Sequence, residues 1–271
     1  MISFPGRPSG ARKSDGYRDL WASGGNPKKG AALALNDATP SARDKFVKEI
    51  FAAIASEIDF LSSFFSFGLD QSWRKKLVRI LALRGGEKIL DVCTGTGKLA
   101  RLISRKVGKQ GAVFGVDFSK EMLGVALKKS AASGCNIRYG LSDAKDLRFP
   151  SNSFDAVTVG FGMRNIADTA VALHEACRVL RPGGRFCCLE LTPPTGRVIK
   201  PLYEFYCFKI MPFIAMKVLK TDVPYNYLPR SIKAFSSPDE FRDMLAACGF
   251  ADINVYSMTF GIATIYEARK S

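Results

Sequence analysis

The sequence predicts an α/β fold: a mostly parallel sheet with helices on both faces. Two observations carry that expectation. Short apolar runs of strand character alternate with helical patterns between residues 88 and 191, and such alternation builds parallel βαβ units. The first run, Ile89-Leu90-Asp91-Val92, passes straight into a glycine-rich turn, Cys93-Thr94-Gly95-Thr96-Gly97, with a helical pattern behind it. That order opens a ligand crevice at the carboxyl end of a strand.

The elements follow in order. Residues 1–40 are rich in Gly, Ser, Pro, Lys and Arg, the composition of a flexible basic tail. Helices are expected over 41–58 and about 71–83, with an aromatic linker over 60–68 between them and Gly85-Gly86 closing the second. Strands at 88–92, 112–117, 137–140, 154–161 and 185–191 then alternate with helices from about 98, over 120–133 and over 169–180. Pro182-Gly183-Gly184 is expected as a turn from helix to strand. A helix over 239–248 capped by Gly249 precedes two last strands, 253–257 and 264–268. The segment 192–235 breaks the alternation. It is aromatic and basic, with seven Lys or Arg against Glu204 and Asp222. It suits a cap packed on the core or a membrane-interface contact, and both are compatible because long basic side chains snorkel.

The chemistry of the glycine turn selects its ligand. Gly95 and Gly97 permit a tight turn and close approach of a ligand to the backbone. Asp117, ending the second strand, can accept two hydrogen bonds from ribose hydroxyls. Phosphate is disfavoured. The spacing fits neither a P-loop nor the strict Gly-x-Gly-x-x-Gly fingerprint, and Asp91 would repel a pyrophosphate. S-adenosyl-L-methionine (SAM) carries an ammonium and a sulfonium and no phosphate. The spacing Asp91-x-Cys93-x-Gly95-x-Gly97, with Asp117 after the second strand, resembles motifs I and II of class I methyltransferases.

Composition sets the frame. A chain of 271 residues, 47% hydrophobic, suffices for one large α/β domain. No apolar run reaches the ~18 residues of a membrane span, and the start of the sequence has no apolar h-region of a secretory leader. Seven cysteines without a Cys-x-x-Cys suggest reduced thiols and no metal site, hence a cytoplasmic protein. The one histidine, His174, lies in a helical pattern without a metal-ligand partner. A formal net charge of +15 favours polyanionic partners, either nucleic acid or an anionic membrane.

Three further motifs identify a family. Arg178-Val179-Leu180-Arg181-Pro182-Gly183-Gly184-Arg185-Phe186 with Glu190-Leu191-Thr192, Phe161-Gly162-Met163-Arg164-Asn165, and Tyr225-Asn226-Tyr227-Leu228-Pro229-Arg230-Ser231-Ile232 resemble motifs of the ubiquinone/menaquinone biosynthesis C-methyltransferases. The resemblance covers about residues 45–268. It implies a class I SAM-methyltransferase fold, a seven-stranded, mostly parallel sheet with an antiparallel last strand. Residues 41–84 would form an N-terminal helical lid and 85–271 the methyltransferase domain, with 192–235 facing substrate and membrane.

The resemblance also assigns roles. Asp91, Gly95, Thr96 and Gly97 would face the methionine part of SAM, Asp117 the ribose, and Phe118, Met122, Asp143 and Ala144 the rest of the nucleoside. Gly160 takes the place of a family serine near the cofactor. Arg164 would stabilise a quinol oxyanion or orient a water, and Asn165 would fix the ring hydroxyl. Asp59, Tyr225 and Tyr227 are the candidate base or relay groups, with a helix cap as the plainer role of Asp59. The N-terminal signature departs from the family. Where relatives have Tyr-Asp-x-Met-Asn, Ser and His-x-x-Trp, this protein has Ile58-Asp59-Phe60-Leu61-Ser62, Ser66 and Asp70-Gln71-Ser72-Trp73.

The expected activity is therefore C-methylation of a polyprenyl quinol, demethylmenaquinol or a methoxy-polyprenyl-benzoquinol, by a peripheral enzyme at the inner face of a membrane. A homodimer is compatible with the sequence. The altered signature keeps another small-molecule or lipid acceptor open. The charge keeps an RNA-binding methyltransferase open, against which stand the lack of RNP-type aromatics and of zinc fingers. Thr192-Pro193-Pro194-Thr195 also lacks the acid and the aromatic of the base-directed Asn/Asp-Pro-Pro-aromatic tetrad.

Overall fold

The computed structural model describes residues 39–218 and 227–271. Tyr225 and nearly all of the basic tail expected over 1–40 lie outside the described residues. The described part begins with helices α1 (Pro40–Ala53), α2 (Ile58–Phe65) and α3 (Leu69–Ile80). Strand and helix then alternate: β1 (Lys88–Val92), α4 (Lys98–Val107), β2 (Ala112–Asp117), α5 (Lys120–Ala132), β3 (Ile137–Leu141) and β4 (Phe154–Gly160). A single 3-10 turn, Met163–Asn165, leads to α6 (Thr169–Val179) and β5 (Leu180–Leu191). Next come α7 (Ile199–Phe205), a π-helical turn (Tyr206–Ile210), α8 (Met211–Val218) and α9 (Tyr227–Ala234). Helix α10 (Pro238–Ala247), β6 (Phe250–Met258) and β7 (Ala263–Lys270) end the fold.

The seven strands form one sheet in the order β3-β2-β1-β4-β5-β7-β6. β7 runs antiparallel to both its neighbours, and every other pairing is parallel. The order reverses at β1, whose next neighbour after β2 is β4, and this switch point is where open α/β sheets hold ligands. Successive residues of a strand point to opposite faces, so the sheet has two apolar layers. On one face Leu90, Val157, Phe186 and Cys188 pack with α6 and α10. On the other, Ile89, Ala156, Cys187 and Leu189 pack with α3, α4 and α5.

Three local expectations are corrected. The first helix stops at Ala53 instead of 58, and residues 60–68, expected as a linker, belong mostly to α2. Only Leu61 of α2 is buried, so its aromatic residues do not mark an inward stripe that periodicity would detect. The helix then breaks at Gly68, whose φ of +76° suits the residue without a Cβ. The Pro182-Gly183-Gly184 turn lies inside β5, where a register shift between Phe154 and Ala156 accommodates it as a bulge. The segment 192–235 folds into α7, the π turn, α8 and α9. Among the described residues no helix is long and apolar enough to cross a membrane.

Candidate active site

The cofactor crevice is assembled from strand ends. Asp91, in register with Gly115 on one side and Thr158 on the other, is 1% exposed. Its carboxylate accepts Thr94 Oγ1 and Thr158 Oγ1, both at 2.7 Å. Burial pushes its carboxyl up to about 6 against the pull of those hydroxyls. Asp117, at the end of β2, accepts the Gly95 N–H at 2.8 Å and the Ser119 N–H at 3.0 Å. Burial pushes it up to about 6 as well. The carboxylate expected to meet a ribose therefore also sets the shape of the glycine turn. A Cβ built on Gly95 would meet no protein atom within 4 Å, so the loop leaves open space there. Beneath the loop, the Tyr139 hydroxyl would lie 2.2 Å from a Cβ at Gly97, and the Tyr139 ring 2.6 Å from one at Gly115.

A second wall faces this crevice. The 3-10 turn after β4 carries Arg164, 7% exposed, against Glu190 of β5, which is wholly buried. Arg164 Nη1 donates to Glu190 Oε1 at 2.5 Å and to the Phe161 carbonyl at 2.9 Å. Its backbone N–H donates to Glu190 Oε2 at 3.1 Å. Arg164 Nε is buried without a partner, and Nη2 makes no hydrogen bond among the described residues. Tyr227 donates its hydroxyl to Asn165 Oδ1 at 2.7 Å. Burial raises the Tyr227 phenol above its ordinary value, although Arg164 and Arg43 oppose the shift. Arg43, from α1, donates to the Arg164 carbonyl at 3.1 Å.

Between the walls lies a cavity of about 330 Å³. All the expected site residues among those described line it except Gly97, which shapes the turn from below. Asp143 is on its exposed rim and Ala144 in its wall. Two side chains are engaged otherwise than expected. Thr96 Oγ1 donates to Asp59 Oδ1 at 2.6 Å, so its hydroxyl serves α2. Asp59 caps no backbone; Lys129 Nζ donates to its Oδ2 at 2.6 Å. Burial pulls Asp59 up, but Lys129, Thr96 and Lys98 outweigh it and hold the carboxyl below its ordinary range. Sequence reading misses Glu190, Lys98, Thr158 and Arg43 as members of the site. Their partners lie 26 to 121 residues away, beyond any local pattern.

The donor set fits SAM. Two deeply buried carboxylates would repel a phosphate, whereas a cation bearing a ribose diol satisfies both. Asp117 would hold the ribose and Asp91 the loop beneath the charged methionine end, and the group would supply an electrophilic methyl. No cluster of His, Cys, Asp or Glu able to hold a metal occurs among the described residues. This strand order with this carboxylate pair marks a SAM-dependent methyltransferase of class I. Solved structures agree on the fold. A SAM-dependent methyltransferase from Thermotoga maritima superposes with a TM-score of 0.58 at 18% identity, over 83% of this chain and 100% of that one. One from Aquifex aeolicus does so with a TM-score of 0.55 at 20% identity, over 73% and 89%. The model of the ubiE/COQ5 methyltransferase family matches residues 39–270, and the chain belongs to that family. It is 38% identical to the ubiquinone/menaquinone biosynthesis C-methyltransferase UbiE of Geobacter sulfurreducens, over 83% of this chain and 88% of the relative. It is also 38% identical to the demethylmenaquinone methyltransferase of Shouchella clausii, over 84% and 97%.

Proposed function

We propose that this protein transfers a methyl group from SAM to a ring carbon of a polyprenyl quinol, demethylmenaquinol or a methoxy-polyprenyl-benzoquinol. The observation that carries this reading is the single cavity shared by the cofactor strand ends and Arg164, whose Nε and Nη2 have no partner among the described residues. A quinol carbon is a weak nucleophile until a ring hydroxyl loses its proton. A guanidinium stays protonated and lowers the cost of that loss by holding the oxyanion. Glu190 fixes Nη1, which leaves the other edge of Arg164 for the ring oxygen. Tyr227 holds the Asn165 carbonyl oxygen and one amide N–H donates to the Phe161 carbonyl at 3.3 Å, so the second amide N–H is the one left as a donor. Asp59, held below its ordinary range and already accepting two hydrogen bonds, is a weak base in this arrangement. The activated carbon would take the methyl as the sulfonium C–S bond breaks to give S-adenosylhomocysteine, and the ring proton would pass to water as the aromatic ring is restored.

The outer surface supports a lipid substrate. Phe60, Phe64 and Phe67 beside α2 and Leu202, Phe205 and Phe213 of α7 and α8 are exposed. The Phe67–Tyr206 ring contact and the Tyr206 hydrogen bond to the Phe65 carbonyl at 2.9 Å join the two groups. Lys200 and Lys209 stand among them. Such an aromatic and basic face suits an anionic bilayer interface. The test supplies labelled SAM and chemically reduced demethylmenaquinone in anionic vesicles, read by mass spectrometry. A product one methyl heavier is expected, and none with the oxidised quinone. The variant Phe60→Ser/Phe205→Ser should lose turnover on vesicles and keep it on a short-tailed quinol in detergent. Absence of product with SAM still bound would mean another acceptor.

A further inference from the structure

We propose that Lys98 and Asp59 form a clasp fastening α2 to the cofactor loop, so that α2 and SAM bind cooperatively. Lys98 is the first residue of α4, directly after Gly97. A cation at a helix N-terminus opposes the helix dipole, so its position needs strong acceptors. Its three N–H are shared among four within reach: the Asp59 carbonyl at 3.0 Å, Ser62 Oγ at 3.1 Å, Ser63 Oγ at 3.0 Å and Asp70 Oδ2 at 3.2 Å. Three come from α2 and the fourth from α3. Two residues before Lys98, Thr96 donates to the Asp59 carboxylate. The cofactor loop is thus tied to α2 at positions 96 and 98, on both sides of Gly97.

The groups are shielded enough for these contacts to matter. The Lys98 and Asp59 side chains are 18% and 17% exposed, and that of Asp70 is 3% exposed. Exposed ion pairs contribute little, but hydrogen bonds to charged, shielded groups contribute more. Lys129 from α5 supplies the remaining charge on Asp59, and Arg74 on Asp70, so both carboxylates stay ionised. Ser62 and Asp70 are both acceptors of Lys98.

Coupling of this kind is reciprocal. A loop that binds SAM better when held by α2 must also hold α2 more firmly when SAM is bound. The test is SAM titration calorimetry together with hydrogen exchange over residues 58–69, on the full-length protein without any acceptor. In the wild type, SAM should slow exchange of α2 amides. In Lys98→Met that protection should disappear and SAM affinity should fall about tenfold, while Lys98→Arg keeps most of both. The double variant Ser62→Ala/Ser63→Ala removes two acceptors at little risk to the core and should lose about threefold. Unchanged SAM affinity and unchanged SAM-induced protection in both variants would overturn the clasp, even if α2 itself exchanged faster. Because no acceptor is present, failure of the quinol reading would leave this result standing.

Discussion

The two walls of the cavity are built on opposite principles. On the cofactor wall, Asp91 and Asp117 each accept two hydrogen bonds from groups of their own or a neighbouring strand end. Open space lies above Gly95. On the acceptor wall, Arg164 keeps a buried N–H unpaired, and the helices around it expose large aromatics. A buried donor without an acceptor costs about 1–3 kcal/mol, and among the described residues Arg43 Nε and the Tyr266 hydroxyl share that state. The cofactor wall is braced by its own hydrogen bonds, whereas the wall at Arg164 keeps an unpaired donor.

That contrast can be broken by substitution. The largest effect is expected for Asp117→Ala, which removes the proposed ribose acceptor and the group that fixes the Gly95 N–H. SAM affinity should fall by about two orders of magnitude or more, measured by calorimetry, and unchanged affinity would remove Asp117 from the cofactor site. Next comes Arg164→Ala. Turnover should drop roughly 10²–10³-fold with SAM affinity within about twofold, since Arg164 belongs to the other wall; wild-type turnover would exclude it from the mechanism. The smallest effect is that of pH. With Asp91 and Asp117 both near 6 and SAM favouring their ionised forms, affinity should hold above neutrality and decline below pH 6. The unliganded fold responds in the opposite sense through these two groups. Their folded pKa values lie above the unfolded ones, so the stability they contribute is full below about pH 4 and is lost as pH rises through about 6. Titrations of SAM affinity from pH 5 to 8 check the first trend, and thermal unfolding of the apo protein the second.

Legibility in the sequence follows the same division. The bounds of β1 and β2 match the expected 88–92 and 112–117, because a continuous apolar run ending in Gly or Asp is a local signal. The glycine turn and its two carboxylates lie within 27 residues of one another, and their order in the sequence gives the crevice directly. The acceptor wall joins α1, the turn after β4, β5 and α9, contacts spanning up to 121 residues. α2 is hard to read as a helix because Phe60 and Phe64 are exposed and only Leu61 is buried, so periodicity carries little burial signal. Arg164, Asn165 and Tyr227 are reached through family motifs. Their partners Glu190 and Arg43 require the fold.

Tyr139 ties three positions into one inheritable unit. Its ring and hydroxyl occupy the space that a side chain at Gly97 or Gly115 would need, while the hydroxyl also bonds Ser130 at 2.9 Å. Neither glycine can change alone while the ring is present. The ring cannot shrink without leaving a void beneath the cofactor loop, at a cost of roughly 3–5 kcal/mol for loss of a whole aromatic side chain. Single steps at any of the three sites lower stability, and at Gly97 the φ of +77° adds backbone strain that a smaller residue at 139 would not relieve. A lineage that found this arrangement would keep it for reasons of space, even if its methyl acceptor changed.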